Sequence, residues 1–250
     1  MESILVSSTV FVVVFGGALA GMHLRRVLPV GLLEPDAKDV IRLATGLLVT
    51  MTALVLGMLV STANSSYQDR KNELAEMGSN FVLVDSLLAS YGPETKPLRL
   101  ELRDLAERGL ERVWPSDAPQ GSLQPLNNSQ FFYDQVETLV PKDDTQAAVK
   151  AAAISAAVNL RHTYWLMFLG TEQNSLSFPL LLVVVSWLTV IFISFGLFAP
   201  GNKVVVVTLV ACALAVSAAV LIIMEMYTPF SGIMRISSSP LRSALSMMGH

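Results

Sequence analysis

The sequence predicts an all-α membrane protein: four transmembrane helices, arranged two plus two, flank an inserted helical-bundle domain. Three observations carry this. Four apolar runs, 4–22, 43–63, 178–199 and 204–224, contain no Lys, Arg, Asp or Glu, and each is close to the roughly 20 residues that a helix needs to cross hydrocarbon. Between the second and third runs lies a long polar stretch, 64–177, with 15 acidic and 10 basic side chains. No strict apolar–polar alternation marks a strand.

Composition agrees, with 52% hydrophobic and 15% charged residues against about 25% charged in an average soluble domain. The net charge is −3. The inserted domain is acidic and lacks a basic stripe suited to nucleic acid. A single cysteine, Cys212, lies in the fourth run, so no disulfide can form within the chain.

Taken in order, the first run has no positive leader and is longer than a signal-peptide core, which predicts a retained helix. Gly17 and Gly21 on it form a small-xxx-small pair of the kind that lets membrane helices approach closely. The second run does not stop at the membrane. Leu56, Val60, Ala63, Tyr67, Arg70, Leu74, Met77, Phe81, Val84, Leu88 and Tyr91 recur at steps of three and four, drawing one seam along a helix. No Gly or Pro interrupts it between Met58 and Gly78, so the helix projects about 40 Å past the bilayer. The seam is expected to close a hairpin within the chain; a seam between subunits is the alternative.

Gly92-Pro93 starts the return. Leu98, Leu102, Leu105, Gly109 and Val113 mark an amphipathic helix ended by Trp114-Pro115, and 116–128 reads as loop. A short helix over 129–140 carries Phe131, Phe132, Val136 and Leu139. After Pro141, Asp143 or Asp144 caps a long helix reaching about Leu169, Ala-rich in its first half. Ser239-Pro240 opens a short amphipathic helix with Leu241, Leu245 and Met248 on one side. The expected division is 1–63 (two membrane helices), 64–177 (helical domain), 178–226 (two membrane helices) and 227–250 (C-terminal segment).

Catalytic chemistry is not in evidence. His23, His162 and His250 lack partners at metal-ligand or triad spacing, and no phosphate loop or nucleophile elbow occurs. Neither an enzyme nor a cofactor or metal site is expected. What remains is polar chemistry near the bilayer. Thr45, Val49, Thr52, Leu56, Leu59, Ala63 and Ser66 fall along one line of the second helix. Hydroxyls, then leucines, then small polar groups suit a water-filled path with an apolar constriction that gates by dewetting. The competing reading is that the threonines bond their own backbone and the leucines face lipid. Glu225 is the only acid beside a membrane core, with Arg235 a possible partner beyond a Pro-Phe-Ser-Gly break. A carboxylate there is costly unless hydrated or paired, making it a candidate for selectivity or subunit contact, against plain placement at a helix end.

The stretches TALVLGMLVSTANSSYQDRKNEL, SYGPE with downstream ERVWP, ISFGLFAPGNKVVV and EMYTPFSGIMRISSSPLRSAL carry a resemblance. The chain resembles bacterial membrane proteins with a bestrophin-like domain, over nearly its whole length. The resemblance implies a homo-oligomeric ion channel, a pentamer by analogy with bestrophins, in the bacterial cytoplasmic membrane. It implies that the second helix lines the pore, with Leu56 and Leu59 at the apolar neck. The acidic calcium clasp of the animal proteins has no counterpart here. Basic residues near span ends divide evenly: Arg25, Arg26, Lys38, Arg42 and Lys203 against Arg70, Lys71, Arg161, Arg235 and Arg242. The positive-inside count therefore does not orient the helical domain. The alternative function is a non-conducting sensor or scaffold whose helical domain binds a partner.

Overall fold

A computed structural model describes residues 2–27, 35–114, 128–173, 178–200, 202–230 and 232–248. Every regular element among them is helical: α1 (Glu2–Val27), α2 (Pro35–Tyr91), a 3₁₀ turn (Pro93–Thr95), α3 (Lys96–Val113), α4 (Asn128–Glu137), α5 (Asp144–Gln173), α6 (Phe178–Phe198), α7 (Lys203–Tyr227) and α8 (Ser239–Met247). The predicted fold class is the observed one. The loop expected at 116–128 lies outside the described residues except for Asn128, which opens α4.

The chain divides into two compact units, one of residues 1–67 and 175–234, the other of 68–174 and 235–250. The helix α2 runs unbroken through 57 residues and contributes to both. In the first unit four helices are long and apolar enough to cross a membrane. There α1 packs against α6 and α7. Its contact with α6 runs over glycine: a Cβ on Gly21 would fall on the Ile193 carbonyl, and one on Gly196 would fall on that of Ala18. Without a Cβ the two backbones touch, which is how dispersion holds helices together where lipid removes the hydrophobic drive. The α1–α7 contact adds a buried hydroxyl pair to apolar packing that includes Val10, Val14, Ala213 and Val220. Ser7 Oγ donates to the Ser217 carbonyl (3.0 Å) and Ser217 Oγ donates to the Ser7 carbonyl (2.6 Å).

The second unit buries the predicted seam from Arg70 to Tyr91 inside the chain, whereas Val60, on the same seam in the first unit, is 40% exposed. Leu74, Met77, Phe81, Val84, Leu88 and Tyr91 on α2 and Leu98, Leu102 and Leu105 on α3 are all core. The hairpin turn depends on Gly92 at φ +144, a conformation that a side chain resists. Across it Asp85 accepts from Arg99 Nε (2.7 Å) and Nη2 (2.8 Å), a bidentate pair. The fully buried Thr95 hydroxyl lies 2.5 Å from the Leu88 carbonyl and 2.7 Å from that of Gly92. Asp143 caps α5 by accepting from Gln146 N, while the Gln146 side chain accepts from Lys142 N, a reciprocal cap of the capping-box kind. The C-terminal helix starts one residue earlier than expected, with Ser238 at the N-cap. It docks by Leu241, Leu245 and Met248, with Arg103 donating to the Met248 carbonyl and Trp114 Nε1 to that of Ile236.

Candidate functional site

The side chains of α2 within the membrane unit sort into three faces. Thr52, Leu59 and Ala63 are 2%, 4% and 0% exposed; Leu59 and Ala63 belong to the unit's apolar core with Val14, Leu188 and Val220. Thr52 donates its hydroxyl to the Leu48 carbonyl four residues back. Thr45, Leu56 and Ser66 are half-buried at the margins of that face, and Val49 is exposed. The residues assigned from sequence to a path, Thr45, Thr52, Leu56, Leu59, Ala63 and Ser66, thus lie on or beside the side of α2 that the chain's own helices cover. Periodicity found one real stripe; it carries no information on whether a neighbouring helix or water lies against it.

A second face carries Val40, Leu43, Leu47, Met51, Leu54 and Met58, all exposed and bulky, as a lipid-facing surface requires. The third is also exposed but small or polar: Gly46, Thr50, Ala53, Gly57 and Asn64, within about 60° of arc at 3.6 residues per turn. Only 11% of the most apolar stretch of α2 is buried, against 28–33% for the other three membrane helices.

Glu225 is 4% exposed near the end of α7. Its Oε2 accepts from the backbone N–H of Ile233 (2.5 Å) and Met234 (3.3 Å). Gly232 approaches the carboxylate so closely that a Cβ would lie 2.9 Å from its Cδ, and Gly232 has φ +91. The carboxylate is therefore a backbone clamp that holds Gly232, Ile233 and Met234 against the end of α7. Arg235 is exposed. Sequence reading missed Gly196, Ser7 and Ser217; a glycine and two hydroxyls inside apolar runs were the available signal.

At the opposite ends of the membrane helices, Arg25 donates to the Ala199 carbonyl at the α6 C-terminus, and Arg42 lies 5.8 Å from the Phe198 ring centroid. Asn202 caps α7 by accepting from Val204 N. His23 and His162 are exposed. No group of three or more His, Cys, Asp or Glu placed to hold a metal occurs among the described residues.

Four helices long and apolar enough to cross a membrane, with a helical unit inserted between the second and third in the sequence, mark a membrane protein. A family profile described as Bestrophin-like domain matches residues 12–241, nearly the whole chain, and the protein belongs to that bestrophin-like family. No curated protein and no solved structure matches it.

Proposed function

We propose that the protein is a homo-oligomeric ion channel of the bacterial cytoplasmic membrane, a ring of subunits (five by the family resemblance) with α2 innermost. The observation that carries this is the exposure of α2 within a single chain. Its third face offers Gly46, Thr50, Ala53, Gly57 and Asn64, a strip with little bulk beside which water can stand. Lipid gains nothing from such a strip, whereas a ring of copies places it on the symmetry axis. In this arrangement Leu56 sits at the edge of the path, and Leu59 and Ala63 hold the protomer together behind it.

The test uses single cysteines in a Cys212→Ala background, since Cys212 is itself exposed. Gly57→Cys is expected to crosslink between subunits and to make liposome ion flux sensitive to a water-soluble thiol reagent, while Leu59→Cys is protected. Flux that responds at Leu59→Cys and not at Gly57→Cys returns the path to the stripe read from sequence. An assembled protein that conducts nothing supports the sensor or scaffold reading.

A further inference from the structure

The charge of this chain is segregated. Over 23–42 and 199–203, five of the 17 Lys and Arg stand against three of the 20 Asp and Glu, a balance of +2 that leaves −5 for the rest. Arg25 and Arg26 close α1, Lys38 and Arg42 stand near the start of α2, and Lys203 opens α7; the contacts of Arg25 with Ala199 and of Arg42 with Phe198 bring these charges to one end of the membrane unit.

Two of the five are held in place. Arg25, from α1, is anchored on the Ala199 carbonyl, where the α6 C-terminus carries partial negative charge. Arg42, from α2, stacks near Phe198 of the same helix and lies 3.7 Å from Asp39, a pair in which both side chains are well exposed and so weak. The other three, Arg26, Lys38 and Lys203, have no ion-pair partner among the described residues, and Arg26 and Lys203 are exposed. The aromatic ring of Phe198 sits where the apolar span ends. Two guanidinium groups held around an aromatic edge, with three further cationic side chains beside them, form a surface complementary to a layer of phosphates at headgroup depth.

We propose that this end of the membrane unit is a docking surface for anionic lipid headgroups, with Arg26, Lys38 and Lys203 as the contacting arms and Arg25 and Arg42 as the fixed platform. The proposal rests on the four helices spanning the bilayer, because only then does this end lie at the headgroup layer. A basic residue near an anionic surface contributes about 1 kcal/mol, or roughly fivefold in affinity. Removing three arms is therefore expected to weaken the preference at least about tenfold, allowing for incomplete contact.

The full-length protein in a neutral detergent is titrated with short-chain phosphatidylglycerol and, separately, with short-chain phosphatidylcholine, and bound lipid is counted by native mass spectrometry. The parent is expected to prefer phosphatidylglycerol, and the Arg26→Gln, Lys38→Gln, Lys203→Gln triple variant to lose that preference. A control triple, Lys71→Gln, Lys96→Gln, Arg242→Gln, removes the same charge from exposed positions in the second unit and is expected to keep it. Equal binding of the two lipids by the parent, equal loss in both triples, or competition by millimolar inorganic phosphate as effective as by the lipid overturns the proposal. Release of the protein from native membranes by alkaline carbonate would instead sink the spanning reading on which it rests.

Discussion

Replacing Glu225 by Ala removes the acceptor of two backbone N–H groups, on Ile233 and Met234. An orphaned buried donor costs about 1–3 kcal/mol, and water reaches these two in part, since Ile233 is exposed and Met234 half-buried. The loss is therefore expected at about 2–4 kcal/mol, or a melting temperature lower by about 5–10 °C for a chain of this size. Glu225→Gln keeps one accepting oxygen and loses only the charge assistance, about 1 kcal/mol. Gly232→Ala acts on the same clamp from the other side, because its Cβ meets the carboxylate and its φ of +91 resists a side chain. Thermal unfolding of the detergent-solubilised protein measures all three, and the Glu225→Ala, Gly232→Ala double variant should lose less than the sum of the singles. A Glu225→Ala protein that melts within a degree of the parent refutes the clamp. A reversal potential shifted by Glu225→Gln under a salt gradient, with melting unchanged, would assign the carboxylate to an ion path instead.

Gly21→Ala and Gly196→Ala should each cost about 1–3 kcal/mol or more by forcing α1 from α6, whereas Gly16→Ala, whose Cβ meets nothing within 4 Å, should be tolerated; thermal unfolding compares them. Gly109→Ala should stabilise by about 1 kcal/mol, because Gly109 lies inside α3 with open space at its Cβ, beside a small apolar pocket lined in part by Leu105, Tyr164 and Leu241; a lower melting temperature would contradict this. The Glu94 carboxyl titrates below its ordinary 4.5, chiefly because Lys142 Nζ donates to it at 2.8 Å. Its contribution to stability is therefore complete above pH 4.5 and lost as pH falls through the lowered value. Lys142→Gln should bring the Glu94 titration, followed by NMR, back towards 4.5.

The fold was legible in the sequence to the extent that burial is periodic or solvent is absent. Leu74 to Tyr91 stand on one helical stripe, and apolar runs of span length announce four membrane helices, because each local pattern has one low-energy solution. Gly92-Pro93 and the Asp143 cap likewise mark helix ends by local backbone chemistry. The site was less legible. The stripe from Thr45 to Ser66 exists, but a stripe of hydroxyls, leucines and small residues satisfies a neighbouring helix as well as a water column. Glu225 read as a helix-end carboxylate with Arg235 as a possible partner, because its actual partners are backbone amides, and every residue but proline has one. Gly196 and the Ser7–Ser217 pair are long-range contacts that no local window contains. Sequence alone thus determined the helices, their lengths and the hairpin, where an apolar side chain's need for cover is set by its own neighbours in the chain. Only the tertiary structure decided which side of α2 is covered and what holds Glu225, because those depend on groups that are distant in sequence and adjacent in space.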